Sequence, residues 1–442
     1  MNKINKNSNI KKGKGPDSIN KKPLVSSKIS KSSSVEEELQ QVKSSSVLLA
    51  TVSSSQKNKA LQSVIAELKK NKDLIFAENK KDIEKAKKER ANPAIIDRLK
   101  LDELKLAGLI KGLEGIIQLP NPVHEVLSEI ELDKNLVLKQ VSCPIGVIGV
   151  IFESRPDALV QIASLCLKSG NAVVLKGGSE AAKSNRILFD IFVIATRGIL
   201  PDSWIWLIEG REDVKKMLKF NQYINLLIPR GSNQLVRYIQ EHTTIPVLGH
   251  SEGICHIFVD NEADLVMAKK IILDAKCQYP AACNTVETLL VHKDLAKTFL
   301  PEIVKELESQ GVQVKFKVQG IEYNDLIISL NVVDSVEEAI QHINTYGSGH
   351  TDVIITKNKT KAERFLYSVD SSSVLWNCSS RFSDGYRYGK GAEVGISTNK
   401  IHARGPVGME GLLIYKYLLY GEGQIVGDYV SRRKKFTHKK IK

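Results

Sequence analysis

The sequence predicts an α/β protein built on two parallel sheets, each covered by helices, and three observations carry that prediction. Short apolar runs rich in Val and Ile alternate with amphipathic helix patterns from about residue 147 to residue 368, the signature of parallel strands buried on both faces. At 442 residues, 42% of them hydrophobic, the chain is long enough for two or three domains. The first run of alternation ends at Gly249–Gly253 and a second begins at Ile254, so a nucleotide-binding-type domain precedes a second α/β domain with its own sheet.

In chain order, residues 1–45 form a basic leader rich in Lys, Ser and Asn, expected to be solvated and disordered. The first domain is expected over 46–253. It opens with two or three amphipathic helices between Gln56 and Gly115, where Ala60, Leu61, Val64, Ile65 and Leu68 recur at three and four residues. Strands are expected at Val147 to Phe152, Ala172 to Leu175, Trp204 to Ile208, Ile224 to Ile228 and Pro246 to Leu248. Helix patterns connect them at Ala158 to Lys168, Ala181 to Thr196, Asp213 to Phe220 and Asn233 to Gln240. The second domain, over 254–395, has strands at Ile254 to Val259, Val286 to Val291 and Val353 to Thr356. Its helices are expected at Glu262 to Ala275, Val336 to Asn344 and Lys361 to Ser368. The glycine-rich and charged stretch from Asn377 to Gly411 reads as binding loops. Residues 396–430 return to the first domain, and 431–442 form a basic tail.

The net charge of +14 sits in the two tails: residues 1–45 carry +6 and residues 431–442 carry +7, which leaves +1 for the rest. A fold-wide nucleic-acid surface is therefore excluded, and any such contact belongs to the tails. No apolar run reaches the roughly 18 residues of a membrane span. The leader has no arginine and no amphipathic period, unlike an organelle transit peptide. The six cysteines show no paired spacing, which fits a reducing cytoplasmic compartment.

Several motifs bear on chemistry. Gly249-His250-Ser251-Glu252-Gly253 matches the G-x-S-x-G nucleophile elbow, but it runs into a strand pattern where an elbow needs a helix. No G-x-G-x-x-G or Walker loop is present. The strand-loop-helix junction Lys176-Gly177-Gly178-Ser179-Glu180 to Lys183 lies at a carboxyl edge, where open α/β sheets bind ligands. There Lys176 and Lys183 suit a ribose phosphate, or else the pair of glycines is an ordinary turn. Glu153-Ser154-Arg155-Pro156 reads either as a helix cap or as an oxyanion site. Cys277 and Cys283, with no histidine at ligand spacing, point to no metal. Cys283 follows small residues and precedes a β-branched strand, a setting for a nucleophile or for a small buried side chain.

From Ser55 to His438 the chain resembles the γ-glutamyl phosphate reductases (glutamate-5-semialdehyde dehydrogenases), a branch of the aldehyde dehydrogenase superfamily. The resemblance rests on CPIGVIGVIFESRPDALVQIASLCLKSGNAVVLKGG, LIPRGSNQLV, LGHSEGICHIFVD, DAKCQYPAACNTVETLLVH, NTYGSGHTD and RFSDGYRYGKGAEVGISTNKIHARGPVGMEGL. The wording around Cys283 is most similar to the reductase half of the bifunctional eukaryotic pyrroline-carboxylate synthases. The kinase half is absent, which implies a stand-alone reductase served by a separate glutamate kinase. The resemblance implies an aldehyde-dehydrogenase-like fold, a Rossmann-type cofactor domain plus a catalytic domain, with 396–430 contributing to a homo-oligomer.

It further implies NADPH-dependent reduction of L-glutamyl 5-phosphate to L-glutamate 5-semialdehyde in proline biosynthesis, with a thioester on Cys283. Ser154 and the backbone at Cys283 or Asn284 would hold the oxyanion. Lys176, Gly177, Ser179, Glu180, Lys183, Pro229, Arg230, Gly231 and Glu322 would hold NADP(H). Arg155, Arg381, Arg387 and Arg404 would hold the substrate's anionic ends, since guanidinium groups suit carboxylate and phosphate. The stretch from Gly311 to Asp325 is shorter than the family pattern, which bears on the role of Glu322.

Overall fold

The structure, a computed structural model, describes residues 34–442 apart from Ser251. It opens with a helix that the Lys/Ser composition hides. Ser34 accepts from the Glu37 N–H and the Glu37 carboxylate accepts from the Ser34 N–H, a capping box that starts α1 (Val35–Leu49). Leu39, Val42, Ser46 and Leu49 recur at three and four residues and are buried, Leu39 and Val42 against the first sheet. The expected disordered leader therefore gives way to helix by residue 35, a correction to its boundary at 45. Residues 1–33, with nine of the leader's ten lysines, lie outside the described residues.

Four helices follow where two or three were expected: α2 (Ser54–Lys70), α3 (Lys72–Lys88), α4 (Pro93–Leu99) and α5 (Glu103–Gln118). Next comes an antiparallel hairpin of β1 (Val126–Asp133) and β2 (Leu136–Pro144), turned through Asn135 in the left-handed region at φ 61°. Its strands carry Glu129, Glu131 and Lys139 in place of an apolar run, so their pattern gave no strand expectation.

The first parallel sheet contains β3 (Val147–Phe152), β4 (Ala172–Gly177), β5 (Ile205–Leu207) and β6 (Leu226–Arg230), in spatial order β5-β4-β3-β6. Helices α6 (Pro156–Lys168), α7 (Ala182–Thr196), α8 (Arg211–Met217) and α9 (Asn233–Glu241) connect and follow its strands. The fifth strand expected at Pro246 to Leu248 shrinks to one bridge between Leu227 and Val247. Pro246 has no N–H to extend the ladder, and the chain turns away at Gly249.

The second parallel sheet has six strands: β7 (Cys255–Val259), β8 (Val286–His292), β9 (Gln313–Phe316), β10 (Ile327–Val333), β11 (Thr351–Ile355) and β12 (Ser373–Trp376). Their order is β12-β11-β7-β8-β10-β9. Ile257, Val259, Leu289, Val291 and Val353 pack beneath α10 (Leu265–Cys277) and α11 (Phe299–Ser309), while α12 (Val336–Tyr346) and α13 (Lys359–Ser368) cover Phe258 and Ile354. A small pair, β13 (Gly395–Ser397) and β14 (Gly405–Val407), leads back toward the hairpin.

There β15 (Leu413–Tyr420) pairs along β2 from Leu413 opposite Pro144 to Tyr420 opposite Val137. The basic tail is not a loose extension. Phe436 stacks on Tyr429 with ring centroids 4.1 Å apart, Thr437 donates to the Leu132 carbonyl, and β16 (Lys439–Lys440) pairs with Ile130 and Glu131 of β1. Backbone pairing leaves the lysine side chains in solvent, so their charge is no bar to a strand. Tyr415, Tyr417, Leu419 and Tyr420 on β15 are at least half exposed. Among the described residues no helix is long and apolar enough to cross a membrane.

Candidate active site

Cys283 lies in the loop between α10 and β8. The loop is locked by its own backbone: Ala282 N–H donates to the Tyr279 carbonyl, Thr285 N–H to Ala282, and the Thr285 hydroxyl to Tyr279 at 2.7 Å. Asn284 fastens the next position. Its Nδ2 donates to the Ser383 carbonyl at 2.9 Å, and its own carbonyl accepts from Ser380 Oγ at 2.6 Å. Gly253, just before β7, passes so close that a Cβ there would overlap the Cys283 backbone, which explains the glycine.

Two histidines face the thiol. His250, Cys283 and His350 bring one ring nitrogen each and the sulfur within 4.8 Å of one another, and the two rings meet edge to face at 4.9 Å. His250 donates from Nδ1 to the Ile396 carbonyl at 2.9 Å, and burial holds its pKa below the ordinary imidazole value, so the ring is neutral near pH 7. His350 is fully buried; its Nδ1 meets Thr351 Oγ1 at 2.9 Å and lies 3.8 Å from the Cys255 sulfur. Cys255 itself gives its S–H to the Cys283 carbonyl at 3.2 Å, and burial raises its pKa well above a free thiol's. It is a structural neighbour of the loop and no rival nucleophile.

The loop's Arg381 donates through Nε to Gln278 at 2.9 Å and stands over the Tyr279 ring, and Arg387 donates to the Arg381 carbonyl at 2.9 Å. Burial first, and Arg387 beside it, lower the pKa of Arg381, while the charge of Cys283 opposes the change. Arg381 therefore acts on the thiol, and Arg387 braces it through the Arg381 carbonyl. Arg404 does not join them, which corrects the expected cluster of three. It is bound to Asp370 through both terminal nitrogens, at 2.9 Å each, and lines a separate cavity of about 430 Å³ with Lys400, Asn344, Ser348 and Thr398. Arg155 pairs with Asp157 at 3.1 Å and stays half exposed.

The residues expected to hold a nicotinamide cofactor gather at one carboxyl edge. Register places Lys176 beside Ile151, Gly177 beside Phe152, and Arg230 on the other side of Phe152, with Pro229 beside Ile151. The glycines there keep the edge open: a Cβ on Gly231 would meet the Glu153 carboxylate and Leu235 at 2.8 Å, and one on Gly177 would strike Asn185. Lys183 projects exposed from the first turn of α7. Lys176 is buried and turns its ammonium onto the Gly177 carbonyl at 2.5 Å. Ser179 and Glu180 form a single 3₁₀ turn at this edge.

Ser154, at φ 49°, gives both its N–H and its hydroxyl to Glu180, at 2.5 and 3.0 Å. The hydroxyl expected at an oxyanion is thus spent on the neighbouring loop, and Glu180 is held by it. Glu322 spans the two halves: one oxygen accepts from Gly253 N–H at 2.9 Å and the other from Asn233 at 2.8 Å. The short stretch before it thus still reaches the Cys283 loop.

His250, His350 and Glu393 were missed by sequence spacing. Glu393 lies half-buried near Arg230, accepts from Gly385 N–H at 2.8 Å, and has its pKa raised by desolvation. The three come from residues 250, 350 and 393, so only the folded chain reveals that they share a site.

The model of the aldehyde dehydrogenase family matches residues 9–319. The γ-glutamyl phosphate reductase of Acetivibrio thermocellus is 52% identical over 92% of this chain and 98% of its own, and that of Methanosarcina mazei is 50% identical over 92% and 97%. The crystal structure of the γ-glutamyl phosphate reductase of Thermotoga maritima superposes with a TM-score of 0.86 at 38% identity, covering 89% of this chain and all of the other. The match of the family model over most of the chain, and this likeness over nearly the whole length of both partners, establish that the chain belongs to the aldehyde dehydrogenase family and, within it, to the γ-glutamyl phosphate reductases.

Proposed function

We propose that this protein reduces L-glutamyl 5-phosphate to L-glutamate 5-semialdehyde with release of phosphate, the second step of proline biosynthesis from glutamate, using NADPH and a thioester on Cys283. The observation that carries the reading is a half-buried thiol on a rigid loop, faced by a neutral histidine and electrostatically coupled to Arg381 and Arg230, in a chain 52% identical to a γ-glutamyl phosphate reductase.

His250 Nε2, left free by the Nδ1 bond to Ile396, accepts the thiol proton of Cys283. The thiolate attacks the acyl carbon, the carbon–oxygen bond to phosphate breaks, and phosphate leaves without needing a strong acid. Backbone N–H groups at Cys283 and Asn284 take the oxyanion, held in place by the Ser383 and Ser380 contacts to Asn284. Arg381 and Arg387 orient the substrate's anionic ends.

The open edge of Gly177 and Gly231, with Lys176, Ser179, Glu180, Lys183, Pro229 and Arg230 around it, fits a dinucleotide, and Lys183 offers an exposed cation to a 2′-phosphate. Bound there, NADPH supplies the hydride that reduces the thioester. Carbon–sulfur cleavage then restores the Cys283 thiolate and frees the aldehyde, which cyclises by itself to pyrroline carboxylate. Glu322, tied to Gly253, keeps the cofactor edge and the thiol loop in fixed relation.

A separate glutamate kinase supplies the labile acyl phosphate. The exposed tyrosines and leucine of β15 support a homo-oligomer formed through that strand, and unpaired cysteine usage supports a cytoplasmic location. The test couples the protein to a glutamate kinase with glutamate and ATP. Pyrroline carboxylate should form with NADPH consumption, faster than with NADH. No product in the presence of an active kinase would refute the assignment.

A further inference from the structure

The same cluster has a second chemistry that the reductase reaction does not use. The geometry points to a binding site for a thiophilic divalent cation, of which zinc is the type, formed by Cys283, His250 and His350, in which the metal sequesters the nucleophile.

Four observations converge. The two ring nitrogens and the sulfur lie within 4.8 Å of one another, the sole such group of three found among the described residues. One thiolate and two imidazoles with a fourth position open is a ligand set that zinc takes readily. His250 is presented as a metal ligand must be, with Nδ1 donating to a backbone carbonyl, which fixes the tautomer and leaves Nε2 its lone pair. His350 Nε2 is buried with no hydrogen-bond partner, a cost that a metal bond would remove.

The closing movement required is small. Bond lengths of about 2.1 Å to nitrogen and about 2.3 Å to sulfur put ligand atoms roughly 3.5 Å apart around a tetrahedral ion. Every pair of ligand atoms already lies within 4.8 Å, so side-chain rotations that move these atoms by about one ångström close the group around the ion. Glu322 and Glu393 act on His250 as nearby negative charges and offset the charge of Arg230. The thiol proton is released on binding, the metal–sulfur bond forms, and no oxidant or reductant is involved. Metal and acyl phosphate then compete for one sulfur, so inhibition is reversible by a chelator.

The binding test needs no reductase activity and so stands apart from the functional reading. Cobalt is titrated into the fully reduced protein, followed by thiolate-to-cobalt absorption in the near ultraviolet, and zinc is then used to displace it. One cobalt per chain with a thiolate band is expected. Cys283→Ser should abolish the band, and His250→Ala should weaken zinc binding at least about tenfold, as for loss of a metal-site contact. His350→Ala should act alike, and His250→Ala, in the more exposed position, guards against a folding defect in the buried variant. No cobalt bound at micromolar concentration would overturn the proposal. So would cobalt bound without a thiolate band, or zinc affinity unchanged in both Cys283→Ser and His250→Ala.

Discussion

Replacing Gly253 by alanine isolates how closely the two halves of the site are fitted. A Cβ at residue 253 would stand 2.8 Å from both the Cα and the carbonyl carbon of Cys283, where ordinary contact begins at 3.4 Å. The obstacle is backbone on a loop pinned at Tyr279, Ser380 and Ser383, not the tip of a flexible side chain. The added methyl must therefore push the Cys283 peptide by at least 0.6 Å, or carry β7 away and strain the Gly253 bond to Glu322. Displacement of a reacting group by about 1 Å costs on the order of a hundredfold in rate, so kcat should fall roughly tenfold to a hundredfold. The KM for NADPH should move little, because the dinucleotide edge is formed by other strands. The coupled kinase assay gives kcat, and a thermal melt run beside it confirms folding. A folded Gly253→Ala enzyme with wild-type kcat would refute the claim that this contact sets the nucleophile.

Three further expectations follow from the structure. Cys283→Ala should abolish turnover in steady-state assays while leaving the melting temperature nearly unchanged, since the side chain is only half buried; a Cys283→Ala enzyme with near-normal rates would place the covalent step elsewhere. Lys57 is 1% exposed, its ammonium has no hydrogen-bond partner, and burial with Lys168 nearby lowers its pKa to about 8. The folded state thus releases a proton that the unfolded chain keeps up to 10.5, so the penalty is full below pH 8 and fades as pH rises toward 10.5. Lys57→Met should stabilise by roughly 1 to 3 kcal/mol at pH 7, an advantage that thermal melts should see shrink above pH 8; a constant advantage, or a loss, would contradict the buried-charge account. The double variant Tyr417→Lys with Leu419→Lys should lower the mass measured by light scattering in solution, and an unchanged mass would exclude β15 from the subunit contact.

The two parallel sheets were legible because a strand buried on both faces tends to be an apolar run, as in Val147–Phe152 and in the Ala172 to Leu175 part of β4. The hairpin arm was not, because its residues face solvent on much of both sides and carry Glu129, Glu131 and Lys139 in place of a clear alternation. Helix α1 was hidden by serines and lysines, although Leu39, Val42, Ser46 and Leu49 keep a helical period. Locally Cys283 could be read as a nucleophile or as a small buried side chain, and only the family resemblance favoured the first. His250 and His350 could not be read as its neighbours, because they reach the thiol only through the side-by-side pairing of β11, β7 and β8, whose N-terminal ends His350, His250 and Cys283 precede. Arg404 was grouped with Arg381 and Arg387 for a related reason: the three read along the chain as one cluster, whereas in the fold Asp370 claims Arg404.

The antiparallel arm has two unequal margins. On one side β16 covers part of β1 with a strand whose side chains are lysines; on the other β15 presents tyrosines and leucine with its outer backbone groups unbonded within the sheet. A row of ammonium groups repels a like row, so growth by strand addition is blocked at that margin. In the homo-oligomer proposed above, association through the arm would then be confined to the β15 side, and an interface used up by one twofold pairing would close on itself. The lysine-bearing strand would thereby hold the arm to finite particles and keep an exposed, tyrosine-rich sheet from propagating into fibres.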